Sequence, residues 1–77
     1  MSTPQTRDNI DLATTAREMA DQAPNGSLEK AVAGSVAVTC ATTRTVDEAR
    51  DVLGGLEPVE IREPAIAFLD RLAFERA

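Results

Sequence analysis

The sequence predicts an all-α fold: a small bundle of three to four helices around a central Ala/Val-rich helix at 28–43. Three observations lead there. Two strong turn signals, Pro24-Asn25-Gly26 and Gly54-Gly55, cut the chain into pieces of helical length. Within those pieces apolar residues recur at spacings of three and four rather than two. And the only aromatics are Phe68 and Phe74. The core must therefore come from Leu, Ile, Val, Met and many alanines, which bury area only where helices lie close together.

The first helix is expected over 4–23. Thr3 supplies a capping hydroxyl and Pro4 a ring whose fixed φ suits a first turn. Asp8 and Asp11 lie near that start, where the helix dipole favours negative charge. Leu12, Ala16, Met19 and Ala23 form one stripe, widened by Ala20. Pro24 stops the helix, Asn25-Gly26 turns the chain, and Ser27 caps the second helix, so the first two helices form an αα-hairpin.

The second helix contains the stretch AVAGSVAVTCATT, residues 31–43, which carries no charge in a chain that is 27% charged. Val36, Val38, Cys40 and Thr42 alternate as a strand would, and Val and Thr favour strands. The helical reading is preferred because the unbroken length from 28 to 43 exceeds a usual strand. Leu28-Glu29-Lys30 is also good helical sequence, and no partner strand is evident elsewhere. Gly34 weakens the helix by about 1 kcal/mol. Leu28, Val32, Val36, Thr39 and Thr43 form one stripe; Ala33, Ala37 and Ala41, with Gly34, form the other. A helix without charge all round is expected to be covered all round, its small-residue side admitting another helix. The competing reading is a half-exposed helix whose alanines serve propensity alone. A bilayer span is the poorer reading, because the run is too short and too rich in Ser and Thr.

The third helix is expected over 46–53. Thr45 and Glu48 make a capping box, and Val46, Ala49, Leu53 and Leu56 make the buried stripe. Gly54-Gly55 ends it, with one glycine expected in the left-handed region. The fourth is expected over 64–76, Pro64 standing in its first turn, with 57–63 a short turn or an extended link. Ala65, Ile66, Phe68, Leu69, Leu72 and Ala73 share one arc, and Phe74 lies off it beside Ala67.

The whole chain, 1–77, reads as a single helical domain, with 1–4 expected to be disordered. A chain of 77 residues buries only roughly 60–65% of its unfolded surface, so its stability margin is thin. Cys40 is the lone cysteine and histidine is absent. These facts exclude an internal disulfide and argue against zinc. A single cysteine and no secretory signal fit a cytoplasmic protein. Arg outnumbers Lys seven to one; with the abundant alanine this points to a GC-rich genome. The general character of the sequence is that of a small bacterial or phage accessory protein.

Catalytic chemistry finds little support. Cys40 has no base to activate it and apolar neighbours that raise a thiol's pKa. Glu57, Glu60 and Glu63 recur every three residues, but two prolines interrupt them, and a solvated edge explains them. Asp47, Glu48 and Asp51 are accounted for by helix-start electrostatics. The glycine pair lacks the Lys-Ser/Thr of a phosphate loop. No cofactor, metal or small-molecule substrate is expected.

The net charge of −5 and pI near 4.5 argue against unaided binding to a phosphate backbone. The expected function is that of a small acidic, non-catalytic protein-interaction module: a regulator, inhibitor or assembly subunit that docks on a protein or on itself. The expected contact residues are Phe74, Ala67, Ala33, Ala37 and Ala41. The alternative is a small dimeric DNA-associated regulator or antitoxin with a helix-turn-helix-like C-terminal half. That reading needs the dispersed arginines gathered on one surface.

Overall fold

The computed structural model describes residues 8–74. The expectations placed on Thr3, Pro4 and the disorder of 1–4 lie outside the described residues. Within them the chain is all-α, with α1 Asn9–Gln22, α2 Leu28–Ala41, α3 Val46–Leu53 and α4 Val59–Ala73.

α1 starts at Asn9 rather than at Pro4. Asp8 is extended, and its carboxylate accepts from the Asp11 N–H at 2.9 Å. An aspartate read as a dipole-favoured residue near the helix start is thus the N-cap itself, where a short acceptor satisfies an N–H with no helical partner. α2 starts as expected, with the Ser27 hydroxyl accepting from the Lys30 N–H. It ends at Ala41 rather than Thr43. The Thr42 and Thr43 hydroxyls both donate to the Thr39 carbonyl, at 3.2 and 2.7 Å, supplying partners that a further turn would have supplied.

α1 and α2 run antiparallel, pinned at both ends. At one end the Lys30 ammonium donates to the Ala20 carbonyl at 2.8 Å, a cation on a helix C-terminus. At the other, buried Asn9 donates through Nδ2 to Thr43 Oγ1 at 2.9 Å and to the Thr45 carbonyl at 3.1 Å. Asn9 escapes the apolar-stripe reading because it is polar, yet it continues the Leu12–Ala16 face one turn earlier.

α3 spans the expected residues. Thr45 Oγ1 accepts from the Glu48 N–H, but the Glu48 carboxylate takes the N–H of Arg44, one residue before the cap. Gly54 closes the helix with right-handed φ −64°, and the only positive-φ glycine among the described residues is Gly26, at φ 81° in the α1–α2 turn. The left-handed residue expected at Gly54-Gly55 is therefore absent.

α4 begins at Val59, five residues before the expected Pro64. The preceding Glu57–Pro58 bond is cis. Pro64 has no N–H for the Glu60 carbonyl, which proline normally makes costly inside a helix. Glu60 is exposed, so water can serve that carbonyl. Arg62 Nε reaches back to the Leu56 carbonyl at 3.2 Å and ties the first turn to the loop.

The core is one cluster: Leu12, Ala16 and Ala20 from α1; Val32, Ala33, Val36, Ala37 and Cys40 from α2; Ala49 and Leu53 from α3; Ala65, Phe68, Leu69, Leu72 and Ala73 from α4. α2 touches all three other helices, so it is central. It is not covered all round. Val32, Val36 and Thr39 of one expected stripe and Ala33 and Ala37 of the other are neighbours on the helical wheel and share one buried arc, whereas Leu28, Gly34 and Ala41 fall outside it. The remaining arc, Ala31, Gly34, Ser35, Val38, Ala41 and Thr42, is exposed or half-exposed, with Val38 at 64%. The charge-free sequence reflects close packing on one side and small residues on the other.

Candidate functional site

Among the described residues, a groove combines apolar lining with access from solvent. Its volume is about 490 Å³, and its walls come from three helices. Met19 is contributed by the end of α1. Leu28, Glu29, Val32 and Ala33 come from the first turns of α2. Pro64, Ala67, Phe68 and Arg71 come from the middle of α4.

The Pro-Asn-Gly turn explains why the groove lies there. Met19 and Leu28 flank the turn, at the end of the hairpin, where no further helix follows to cover them. They are 40% and 55% exposed although both belong to stripes expected to be buried. α4 supplies the opposite wall. Ala67 and Pro64 are small or rigid there, so the wall stays low and the groove stays open. Phe68 forms the floor at 7% exposure. The Arg71 guanidinium lies 5.7 Å from the Phe68 ring centroid, a cation–π distance. That contact holds a positive group at the groove edge. Glu29 brings a negative group to the same lining, and neither it nor Arg71 belongs to an ion pair among the described residues.

The expected contact residues separate into four groups. Ala33 and Ala67 come together in the groove. Ala37 is buried at 7% and Ala33 at 3%. Their close approach serves this chain's own helices, so Ala37 offers nothing to a partner and Ala33 offers only its groove edge. Ala41 is exposed on the outer arc of α2, away from the groove lining. Phe74 is 68% exposed at the C-cap of α4. It follows Ala67 by seven residues, close to two helical turns, so it continues the Pro64–Ala67–Arg71 edge of α4.

Sequence reading misses Met19, Leu28 and Pro64 as surface features. The available signal is position: bulky apolar residues on both sides of a tight turn occupy the end of a hairpin, where coverage runs out.

Other chemistry is sparse. Among the described residues no group of three or more Cys, Asp or Glu side chains could hold a metal ion. Cys40 is buried, and desolvation pushes its thiol above the ordinary value of 9.0. Three arginines are engaged within the fold. Arg50 pairs with Asp70 across α3 and α4 and approaches Asp47 at 3.4 Å. Arg62 bonds the Leu56 carbonyl, and Arg71 lies over the Phe68 ring. Arg17 lies on α1 and Arg44 in the α2–α3 loop. No helix of the described residues is long and apolar enough to cross a membrane. No protein-family model, curated protein or solved structure matches the chain.

Proposed function

We propose that this protein is a small acidic, non-catalytic docking module, and that the groove between α1, α2 and α4 is its contact surface. The observation that carries this is the lining itself. Met19, Leu28, Val32, Ala67 and Phe68 line an apolar groove that the fold leaves open to solvent. Open apolar grooves of this kind suit the apolar face of a helix or a large side chain from another protein. Opposite charges at the edge add orientation more than affinity. Regulation, inhibition or assembly by docking fits such a surface. Titratable side chains are lacking from the lining apart from Glu29 and Arg71, which gives acid–base chemistry little to work with.

The test uses a synthetic amphipathic helix of Leu and Arg, about four turns long, as a probe titrated into the protein by calorimetry. Binding is expected for the wild type and loss of binding for Ala67→Glu, whose circular dichroism should match the wild type because Ala67 is exposed. A probe that does not bind, in a protein that also does not self-associate, contradicts the reading. The DNA-associated alternative draws no support from the arginines, several of which are held within the fold. Its test is a gel shift at low salt, in which a retarded complex with a steep salt dependence would displace the docking reading.

A further inference from the structure

We infer that the occupant of the groove is a second copy of this chain, with Phe74 of each copy seated in the groove of the other; this rests on the docking reading. The exposed aromatic and the open apolar groove are on one molecule. Phe74 is 68% exposed at the end of α4, and the groove it would fill opens along that helix's Pro64–Ala67–Arg71 edge. Aromatic anchors set in apolar pockets are the side chains on which interfaces most often depend.

Charge makes the arrangement self-complementary. In a twofold dimer each contact occurs twice, residue i with j and j with i. Glu29 comes from the α2 wall and Arg71 from the α4 wall, and both are without an ion pair among the described residues. When two such grooves face each other, Arg71 of one copy meets Glu29 of the second, and the reverse pair forms with it. A strongly basic or acidic partner would satisfy only one edge of the groove. A second copy satisfies both, and the chain's overall charge of −5 opposes association only through screened, longer-range repulsion.

The contact is small. One phenyl ring per copy buries about 150–250 Å², and the groove walls add to it. This falls at the lower end of interface sizes, so the dimer should be weak and dynamic, with dissociation in the micromolar to millimolar range.

The experiment is sedimentation velocity on the full chain from about 10 μM to about 1 mM, the range in which so weak a dimer forms, at low and moderate salt. The wild type should move from monomer to dimer across that range. Phe74→Ala should weaken association by about tenfold or more, the scale of an interface anchor, with circular dichroism unchanged. Glu29→Arg and Arg71→Glu should each weaken it as well. Mixing those two variants should restore a dimer, because one of the two cross-contacts in the mixed pair joins the reversed charges, Arg at 29 with Glu at 71, and the other keeps the native Glu29 with Arg71. An ion pair within one chain cannot produce that recovery.

A protein that stays monomeric throughout overturns the inference, and the amphipathic probe then decides separately whether the groove docks anything. A dimer indifferent to Phe74→Ala and to both charge reversals also overturns it, since the copies would meet elsewhere. A dimer sensitive to Phe74→Ala, with recovery on mixing, supports it.

Discussion

At the scale of single residues, two buried side chains outside the apolar pattern shape this domain. Asn9 is 5% exposed and joins α1 to the α2–α3 loop through two hydrogen bonds. Asn9→Ala removes the donor and leaves the Thr45 carbonyl and the Thr43 hydroxyl short of a partner in a partly buried site. Such a loss costs about 1–3 kcal/mol, which should appear as a lower midpoint in urea with an unchanged slope. Cys40 is buried in α2, and desolvation raises its thiol pKa above 9.0. The folded state therefore holds the proton more tightly than the unfolded chain. That contribution is fully present below about pH 9 and is lost as pH rises through the raised folded value. Cys40→Ala should lower stability at neutral pH by loss of packing, yet flatten its decline above about pH 9. Urea titrations at neutral pH and at intervals through the alkaline range read both effects. Phe74 and Ala67 are legible as surface features because they fall off the α4 arc. Asn9 is not, since a stripe count that scores only apolar residues passes over a buried amide.

At the scale of the helix, boundaries depend on which competing cap wins. Four turn and cap signals are readable in the sequence: Pro24-Asn25-Gly26, Ser27, Thr45 and Gly54 all stand where helices start or stop. α1 and α4 depart from their expected starts for opposite reasons. At α1, Thr3-Pro4 is a good local signal, but Asp8 carries the cap and Asn9 the first buried contact. At α4, Pro64 resembles a start signal, yet packing of Ile61 against the core and the Arg62 contact extend the helix across it. The chain tolerates proline there at a cost. Pro64→Ala restores an N–H for the Glu60 carbonyl and gains about 3 kcal/mol of helix propensity. It gives back up to about 1 kcal/mol by freeing the unfolded chain. A net stabilisation of about 2 kcal/mol is expected from chemical denaturation. Gly34 offers a second case. A Cβ built on it meets nothing within 4 Å, so the close approach expected on that side does not occur within the domain. Gly34→Ala should stabilise α2 by about 1 kcal/mol, read as a higher thermal midpoint, and a loss of stability would show that the outer arc is covered.

At the scale of the molecule, fold class and most of the core follow from spacing and punctuation alone, while the number of helices, expected as three to four, is four among the described residues. Leu12, Ala16, Val36, Ala49, Leu53, Leu69 and Leu72 are buried where their stripes place them. What the pattern could not supply is coverage. Amphipathic periodicity says which side of a helix is apolar, but not whether a four-helix chain has enough mass to cover every apolar side. Here α2 exceeds what α1, α3 and α4 can wrap, and Met19 and Leu28 lie at the uncovered end of the hairpin. The groove is a consequence of that shortfall in a small domain, and its use by another molecule is the centre of the functional proposal. The most direct measurement is a dilution series of amide nuclear magnetic resonance spectra on the full chain from about 1 mM downward, conditions suited to a weak complex. Concentration-dependent shifts are expected at Met19, Leu28, Val32, Ala67, Arg71 and Phe74. Shifts at Val38, Ala41 and Thr42 instead, or an unchanging spectrum over the whole range, would contradict occupation of the groove by a second copy.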